Sequence, residues 1–168
     1  MKGFVFALML AASVLSGQIP DSSNVTAVGQ TVPTFSVTAL DGRVFNPGEE
    51  KYRALLLVFF ATWCSSCNVE MPELEKQVWQ RFRDRGLMVL AIGREHTKKE
   101  LAVYLKDKKL SFPMAPDPKR NVFNLFATKY IPRNVLIGKK RSIVYQSVGY
   151  EPEEFKRLVA AIENELAQ

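Results

Sequence analysis

The sequence predicts an α/β fold in which a central mixed sheet is flanked by helices. Residues 54–61 and 87–92 form continuous apolar runs, which are typical of strands buried on both faces of a parallel sheet. A segment with helical periodicity follows each run, and an amphipathic helix closes the chain. This alternation of strands and helices indicates a layered α/β domain.

The remaining elements follow from turn and cap signals. Residues 33–40 alternate like a strand, and Asp41-Gly42 predicts a turn from which residues 43–45 pair back as an N-terminal β-hairpin. A capping box at Thr97 and Glu100 opens a helix. The further predicted elements are a proline-containing loop over residues 111–118, a short helix over 121–128, a closing hairpin from 134–138 and 142–148, and a final helix from Pro152.

The composition predicts one globular domain behind a leader. The chain has 168 residues, of which 47% are hydrophobic and 24% charged, as in ordinary soluble proteins. The net charge of +6 comes from scattered basic residues without a dense stripe or a reading motif. We therefore interpret the basic surface as solvated and expect no nucleic-acid partner.

The N-terminus has the pattern of a secretory signal peptide. A basic start precedes the apolar residues 4–15, a stretch too short to span a bilayer comfortably, and small side chains at Val14 and Ser16 suit cleavage before Gly17. We expect residues 1–16 to be removed and the protein to work in the periplasm or cell envelope; an uncleaved leader would tether it to the membrane. Residues 17–30 are predicted as a polar linker and residues 31–168 as the domain.

The chain's two cysteines, Cys64 and Cys67, lie where the first buried strand turns into a helix. The free N–H groups and the positive dipole end of a helix N-terminus favour a thiolate there. Disulfide exchange requires an accessible thiolate and a second thiol one turn away. The spacing therefore predicts a redox-active pair, with Cys64 as nucleophile and Cys67 as resolving thiol.

Two other interpretations of the cysteine pair are weaker. A structural zinc site requires four ligands, whereas the chain adds only His96, which we interpret as a surface loop residue. A structural disulfide across two residues would close almost no loop and would constrain the unfolded chain little.

The segment Trp63-Cys-Ser-Ser-Cys67, followed by Pro72, resembles a thioredoxin-fold active site. The pattern Cys67-x-x-Glu70-x-Pro72 is similar to that of exported disulfide reductases of the TlpA/ResA type, and the resemblance extends from about Val32 to the C-terminus. It implies a thioredoxin fold with an N-terminal β-hairpin extension, and a thiol–disulfide oxidoreductase that consumes no soluble cofactor. It also implies disulfide-bearing protein substrates and a membrane or envelope thiol reductant; we expect a monomer.

By the same resemblance, Pro132 is a cis-proline that faces the cysteine pair and leaves the Ile131 backbone free to pair with an extended substrate. The alternative is an ordinary trans turn proline. The family commonly has threonines after this proline, whereas Arg133 follows here. We expect Arg133 to lie on the rim of the site and to favour thiolates and acidic substrates, while Trp63 shields the cysteines.

Glu70 lies three residues after Cys67 and therefore on nearly the same helix face. Many thioredoxins carry a buried aspartate six residues before the first cysteine, where this chain has Val58. The resemblance makes Glu70 the replacement proton acceptor; the alternative is a helix-start glutamate favoured only by the dipole.

The residues between the cysteines favour a reductase, because Ser65 and Ser66 place neither histidine nor lysine beside Cys64. Two alternatives remain on the same fold. A peroxiredoxin-like thiol peroxidase would carry threonine where Ala61 stands, three residues before the nucleophile. A copper-binding assembly protein would require a histidine near the dithiol, and His96 is its sole candidate.

Overall fold

The computed structural model describes residues 22–47 and 52–168. The strands are β1 Val37–Thr38, β2 Val44–Phe45, β3 Ala54–Phe60, β4 Leu87–Arg94, β5 Met114–Asp117, β6 Arg133–Ile137 and β7 Ile143–Val148. The helices are α1 Ser65–Glu73, α2 Gln80–Phe82, α3 Lys98–Asp107, α4 Phe123–Phe126 and α5 Pro152–Ala167.

Five of these strands form a mixed sheet in the described part of the chain, in the order β5-β4-β3-β6-β7. The central strand β3 pairs in parallel with β4 and antiparallel with β6. Strands β1 and β2 form a separate antiparallel hairpin. The predicted central sheet and N-terminal hairpin are thus confirmed.

Strand β3 divides the core into two layers, because alternate side chains point to opposite faces of the sheet. Leu56, Val58 and Phe60 contact the layer formed with α1, α3 and α5. Leu57 and Phe59 contact the other layer, which includes α4 and the N-terminal hairpin. All seven residues of β3 are buried, so the end of this strand is a rigid base for the turn that follows.

Helix α1 does not end at its last regular residue. It continues through a π-helical stretch, Leu74–Trp79, into α2 and a short 3-10 turn, Arg83–Arg85. Gly86 ends this run in the left-handed conformation, with φ of 97°, which a glycine adopts without steric cost. A side chain at Gly86 would also collide with Arg53, whose nearest carbon would be 2.9 Å away.

The structure corrects the predicted linker over residues 22–30. Ser23 and Thr26 are buried, and the Thr26 hydroxyl donates to Gln146 at 2.8 Å. The backbone of Val25 bonds to Phe126 at 2.8 Å, so this segment packs on the domain. The predicted signal peptide, residues 1–16, lies outside the described residues.

The predicted loop over residues 111–118 is also partly wrong, because Met114–Asp117 forms strand β5. Pro116 is compatible with a strand there because β5 pairs only with β4 and lies at the sheet edge. The predicted capping box at Thr97 and Glu100 is present at the start of α3. None of the helices among the described residues is long and apolar enough to span a membrane.

Candidate functional site

The cysteine pair lies at the junction between β3 and α1, and it is oxidised. Cys64 and Cys67 form a disulfide with their Cα atoms 5.2 Å apart. Cys64 is the N-cap residue of α1, and its sulfur accepts a hydrogen bond from the Cys67 backbone N–H at 3.1 Å. This helix start therefore offers its positive end directly to the Cys64 sulfur.

The two sulfurs differ in access. Cys64 is 7% exposed and borders an open groove, whereas Cys67 is 0% exposed and belongs to the core layer under α1. An incoming disulfide can therefore approach Cys64 from solvent, while Cys67 is reached only through Cys64.

The Ile131–Pro132 peptide is cis, as the resemblance predicts. The Ile131 carbonyl oxygen lies 3.9 Å from the Cys64 sulfur, so this peptide forms the wall of the site opposite α1. Ile131 itself lines the groove beside Cys64, where an extended chain would run.

The groove in front of the disulfide has a volume of about 400 Å³. Trp63 is 62% exposed on one rim, and Tyr130 is largely exposed on the other. Exposed aromatic side chains that flank a reactive atom are well suited to hold an apolar segment of a partner. The groove is lined by Trp63, Cys64, Ser65, Ser66, Arg94, Tyr130 and Ile131.

Arg94 is a groove residue that the sequence reasoning missed. Its guanidinium stacks on Trp63, 5.5 Å from the ring centre, and pairs with Glu95 at 3.0 Å. Arg94 ends β4, the parallel neighbour of β3, so the carboxyl ends of both strands meet at this site. That strand adjacency was the available signal.

The expectation that Arg133 lies on the rim is wrong. Arg133 is 0% exposed and faces the core layer on the other side of the sheet from Cys67, because it precedes Asn134 on β6 and neighbouring strand residues point to opposite faces. Its guanidinium donates to Ser23 Oγ at 2.6 Å and to the Lys129 carbonyl at 3.1 Å. A further partner is Asn24 Oδ1.

Glu70 is 1% exposed and lies on α1 three residues after Cys67, on the same side of the sheet. Its Oε1 accepts a hydrogen bond from Asn134 Nδ2 at 2.7 Å, whereas its Oε2 is buried without a hydrogen-bond partner among the described residues. Burial raises the pKa of Glu70 to about 7, although the hydrogen bond from Asn134 acts in the opposite direction. A carboxyl in this state both holds and releases a proton near neutral pH.

Asn134 is a second residue that the sequence reasoning missed, since we treated it only as part of the closing hairpin. It lies two residues after the cis-proline. Its Nδ2 donates to Glu70 on α1 and makes a longer, weaker hydrogen bond to Ser147 Oγ on β7, at 3.4 Å. Strand alternation after Pro132 could have assigned Asn134 to the cysteine side of the sheet.

The interpretation of His96 as a surface loop residue is wrong as well. His96 is buried, and its Nε2 accepts a hydrogen bond from the Thr62 backbone N–H at 2.9 Å. The Thr62 carbonyl in turn accepts from Asn68 Nδ2 at 2.8 Å. Side chains therefore bind both the backbone N–H and the backbone carbonyl of Thr62, the residue two positions before Cys64.

The described residues contain no group of three His, Cys, Asp or Glu side chains arranged to hold a metal ion. His96, the histidine that the copper-binding alternative would use, accepts a hydrogen bond from the Thr62 N–H through its Nε2.

Comparison with known proteins shows the family of this chain. The model of the AhpC/TSA family matches residues 28–146, most of the chain. This protein belongs to the AhpC/TSA family. Within it, the similarity is to the TlpA/ResA type, as the relatives that follow show.

Curated relatives include the thiol-disulfide oxidoreductase ResA of Bacillus anthracis, 26% identical over 76% of this chain and 73% of that protein. ResA of Geobacillus thermodenitrificans (strain NG80-2) is 26% identical, and the match covers 85% of this chain and 83% of the length of that protein. With the paired cysteines, these matches make this AhpC/TSA member a thiol–disulfide oxidoreductase.

Solved structures agree with the fold. A solution structure from Bacteroides thetaiotaomicron, provisionally named a protein disulfide isomerase, has a TM-score of 0.82 and 29% identity, covering 87% of this chain and 94% of that one. A thiol:disulfide interchange protein of the thioredoxin family from Chlorobium tepidum TLS has a TM-score of 0.70 and 21% identity, covering 84% and 99% of the two chains. The predicted thioredoxin fold is confirmed.

Proposed function

We propose that this oxidoreductase is exported and works mainly as a reductase of disulfide-bearing protein substrates. One observation carries the proposal: the accessible Cys64 sulfur accepts the Cys67 N–H at the start of α1 and faces the cis Ile131–Pro132 peptide. The helix start favours the thiolate, and the opposite wall is free to align an extended disulfide-bearing segment.

In the first step, the Cys64 thiolate attacks one sulfur of a substrate disulfide. A bond forms between Cys64 and that sulfur, the substrate S–S bond breaks, and the departing substrate thiolate takes a proton from water. Trp63 and Ile131 line the groove beside Cys64 and would contact the substrate, while Pro132 keeps the facing peptide in place.

In the second step, Cys67 resolves the mixed disulfide. Cys67 loses its proton, attacks the Cys64 sulfur and releases the second substrate thiolate, so two electrons have passed from the protein to the substrate. Burial disfavours the Cys67 thiolate, and a nearby base relieves that cost. Glu70, buried on the same helix with a pKa of about 7, is suited to take the proton directly or through one water.

The product of this cycle is the Cys64–Cys67 disulfide. A thiol reductant of the membrane or envelope would reduce it again, without a soluble cofactor. The apolar leader at residues 4–15 supports export. The pair Ser65-Ser66 supports the reductive direction, because neither residue places a histidine or lysine beside Cys64. We propose that the protein acts as a monomer.

Trapping substrates tests this proposal. Cys67→Ala should accumulate mixed disulfides on Cys64 when exposed to envelope proteins, and the matched control Cys64→Ala should accumulate none. Parallel assays with hydrogen peroxide and with Cu(I) separate the thiol-peroxidase and copper-binding alternatives. Rapid peroxide consumption without protein disulfide reduction would contradict the reductase assignment.

Export has its own test. N-terminal sequencing of protein isolated from the native envelope should find a chain that begins near Gly17, since residues 14–16 suit cleavage. An intact Met1 on protein recovered from the cytoplasm would contradict export.

A further inference from the structure

Side chains that take no part in the exchange fix the active-site turn, which we define as residues 62–64. His96 Nε2 accepts from the Thr62 N–H at 2.9 Å. Asn68 Nδ2 donates to both the Thr62 and the Cys64 carbonyls, at 2.8 and 2.9 Å. The Tyr104 hydroxyl donates to Asn68 Oδ1 at 3.1 Å, so the turn is attached to α1 and α3 as well as to the loop after β4.

His96 is the contact in this network that depends on protonation. Because its Nε2 accepts a hydrogen bond, the ring must be neutral with its proton on Nδ1. Nδ1 lies 3.9 Å from Glu100 Oε2 and has no hydrogen-bond partner among the described residues. Asn68 remains neutral at all accessible pH values, and burial raises the pKa of Tyr104 to about 12, so that its hydroxyl stays a donor.

We propose that His96 is a positioning residue that holds the active-site turn, and with it Cys64, in the reactive arrangement only while its imidazole is neutral. A protonated imidazole donates from both nitrogens, so its Nε2–H would face the Thr62 N–H, and two donors cannot bond. The turn would then lose its attachment to the loop after β4. This inference rests on Cys64 as the attacking thiol of the proposed function.

The charges around His96 determine when this release happens. Burial disfavours the protonated ring and lowers the pKa of His96 below its ordinary value, although the carboxylates of Glu100 and Glu95 act in the opposite direction. The group that His96 contacts on the active-site turn, the Thr62 N–H, does not titrate. The hydrogen bond between His96 and Thr62 is therefore intact at neutral pH and is lost when the pH falls below the pKa of His96.

The experiment uses reduced Cys67→Ala protein, in which Cys64 is the sole thiol. His96→Gln retains an acceptor that does not titrate, and His96→Phe removes the acceptor. The readouts are the Cys64 pKa and alkylation rate across pH, and the fluorescence of Trp63 in a Trp79→Phe background. Since His96 is the only histidine of the chain, its NMR titration gives the pKa of the ring directly.

We correct the alkylation rate for the ionised fraction of Cys64, which gives the intrinsic rate constant of the thiolate. As pH is lowered, this intrinsic rate constant should fall at the pH where the His96 resonance titrates, with a parallel change in Trp63 fluorescence. His96→Phe should lower that rate constant about 10-fold at pH 7, the order that loss of one hydrogen bond can produce, and His96→Gln should restore it and abolish the acid change. Alkylation needs no substrate or reductant, so this result is independent of substrate class and direction.

Two results would overturn the inference. The first is a folded His96→Phe protein with the wild-type Cys64 pKa, alkylation rate and Trp63 signal, which would make His96 a packing residue. The second, which applies even if His96→Phe does not fold, is a His96→Gln protein with the same acid change as the parent.

Discussion

Two buried charged side chains lie on opposite faces of the same sheet, and their surroundings differ. Arg133 on β6 is 0% exposed and donates to Ser23, to the Lys129 carbonyl and to Asn24. Glu70 on α1 is 1% exposed, receives one hydrogen bond, from Asn134, and has a buried oxygen without a hydrogen-bond partner among the described residues.

The difference separates a structural charge from a titrating one. The guanidinium of Arg133 cannot lose its proton at accessible pH, and its neighbours supply oxygen acceptors, so it ties residues 22–30 to the sheet. The carboxyl of Glu70 has too few donors to offset its burial, and its pKa is raised to about 7. Arg133 and Glu70 are equally buried, so burial alone does not distinguish them. They differ in the number of hydrogen-bond partners that offset the burial of the charge.

The largest expected effect is on stability at Arg133. Arg133→Met keeps much of the apolar stem but leaves the oxygens of Ser23, Asn24 and Lys129 without their donor. Because each buried oxygen left without a donor costs about 1–3 kcal/mol, we expect a loss of about 3–5 kcal/mol in the free energy of unfolding, measured by urea denaturation. The Cys64 pKa should not change, because Arg133 faces the other core layer.

A matched control is Arg157→Met, since Arg157 pairs with Glu154 on the surface of α5, where solvent screens the pair, and its loss should change the stability much less. A raised Cys64 pKa in Arg133→Met, with stability unchanged, would restore the electrostatic role that the structure contradicts.

The second prediction concerns the pH dependence of stability at Glu70. The folded pKa of about 7 lies above the ordinary 4.5, so the folded chain keeps a proton that the unfolded chain loses between these values. Wild-type stability should decline as pH rises from 4.5 through 7, by about 3 kcal/mol for a shift of this size. Glu70→Gln should remove this decline. The variant should therefore be more stable than wild type at pH 8, whereas it should have no such advantage at pH 4.

Thermal unfolding of the oxidised proteins at both pH values measures this effect without cysteine titration. Asp84→Asn is the control, since the Asp84 side chain is 89% exposed and should show no such difference. Parallel stability curves for wild type and Glu70→Gln would mean that Glu70 is not held protonated by burial.

The sequence predicted the elements whose signals are local. The apolar run of β3, the cysteines at its end, the capping box at Thr97 and the proline before β6 each depend on neighbouring residues, and the structure contains all of them. Strand β5 was not predicted, because a proline such as Pro116 indicates a loop unless the strand is known to lie at the edge of the sheet.

Contacts between distant residues could not be predicted in this way. His96 bonds to Thr62 across 34 residues, and Asn134 bonds to Glu70 across 64. The burial of Arg133 also depended on residues 22–30 folding back to meet it, which has no local signal. A shift of one residue along a strand reverses the face, which is why the rim expectation failed.

The smallest expected effect is at Asn134. Asn134→Leu removes the hydrogen bond that favours the ionised form of Glu70, so the Glu70 pKa should rise by about one unit. Infrared difference spectroscopy of the carboxyl band across pH measures it. Ser147→Ala, which removes only the 3.4 Å neighbour of Asn134, is the control and should leave the titration nearly unchanged. An unchanged titration in Asn134→Leu would show that burial alone sets the pKa of Glu70.

Stopped-flow kinetics of Glu70→Gln measure directly whether Glu70 takes the proton of Cys67. Formation of the mixed disulfide on Cys64 and its resolution by Cys67 are followed separately with a fluorescent disulfide substrate, from pH 5 to 9. We predict that attack by Cys64 keeps its wild-type rate, while resolution slows by about 100-fold near pH 7, at the lower end of what loss of a general base costs. Equal slowing of both steps, or of neither, would contradict the claim.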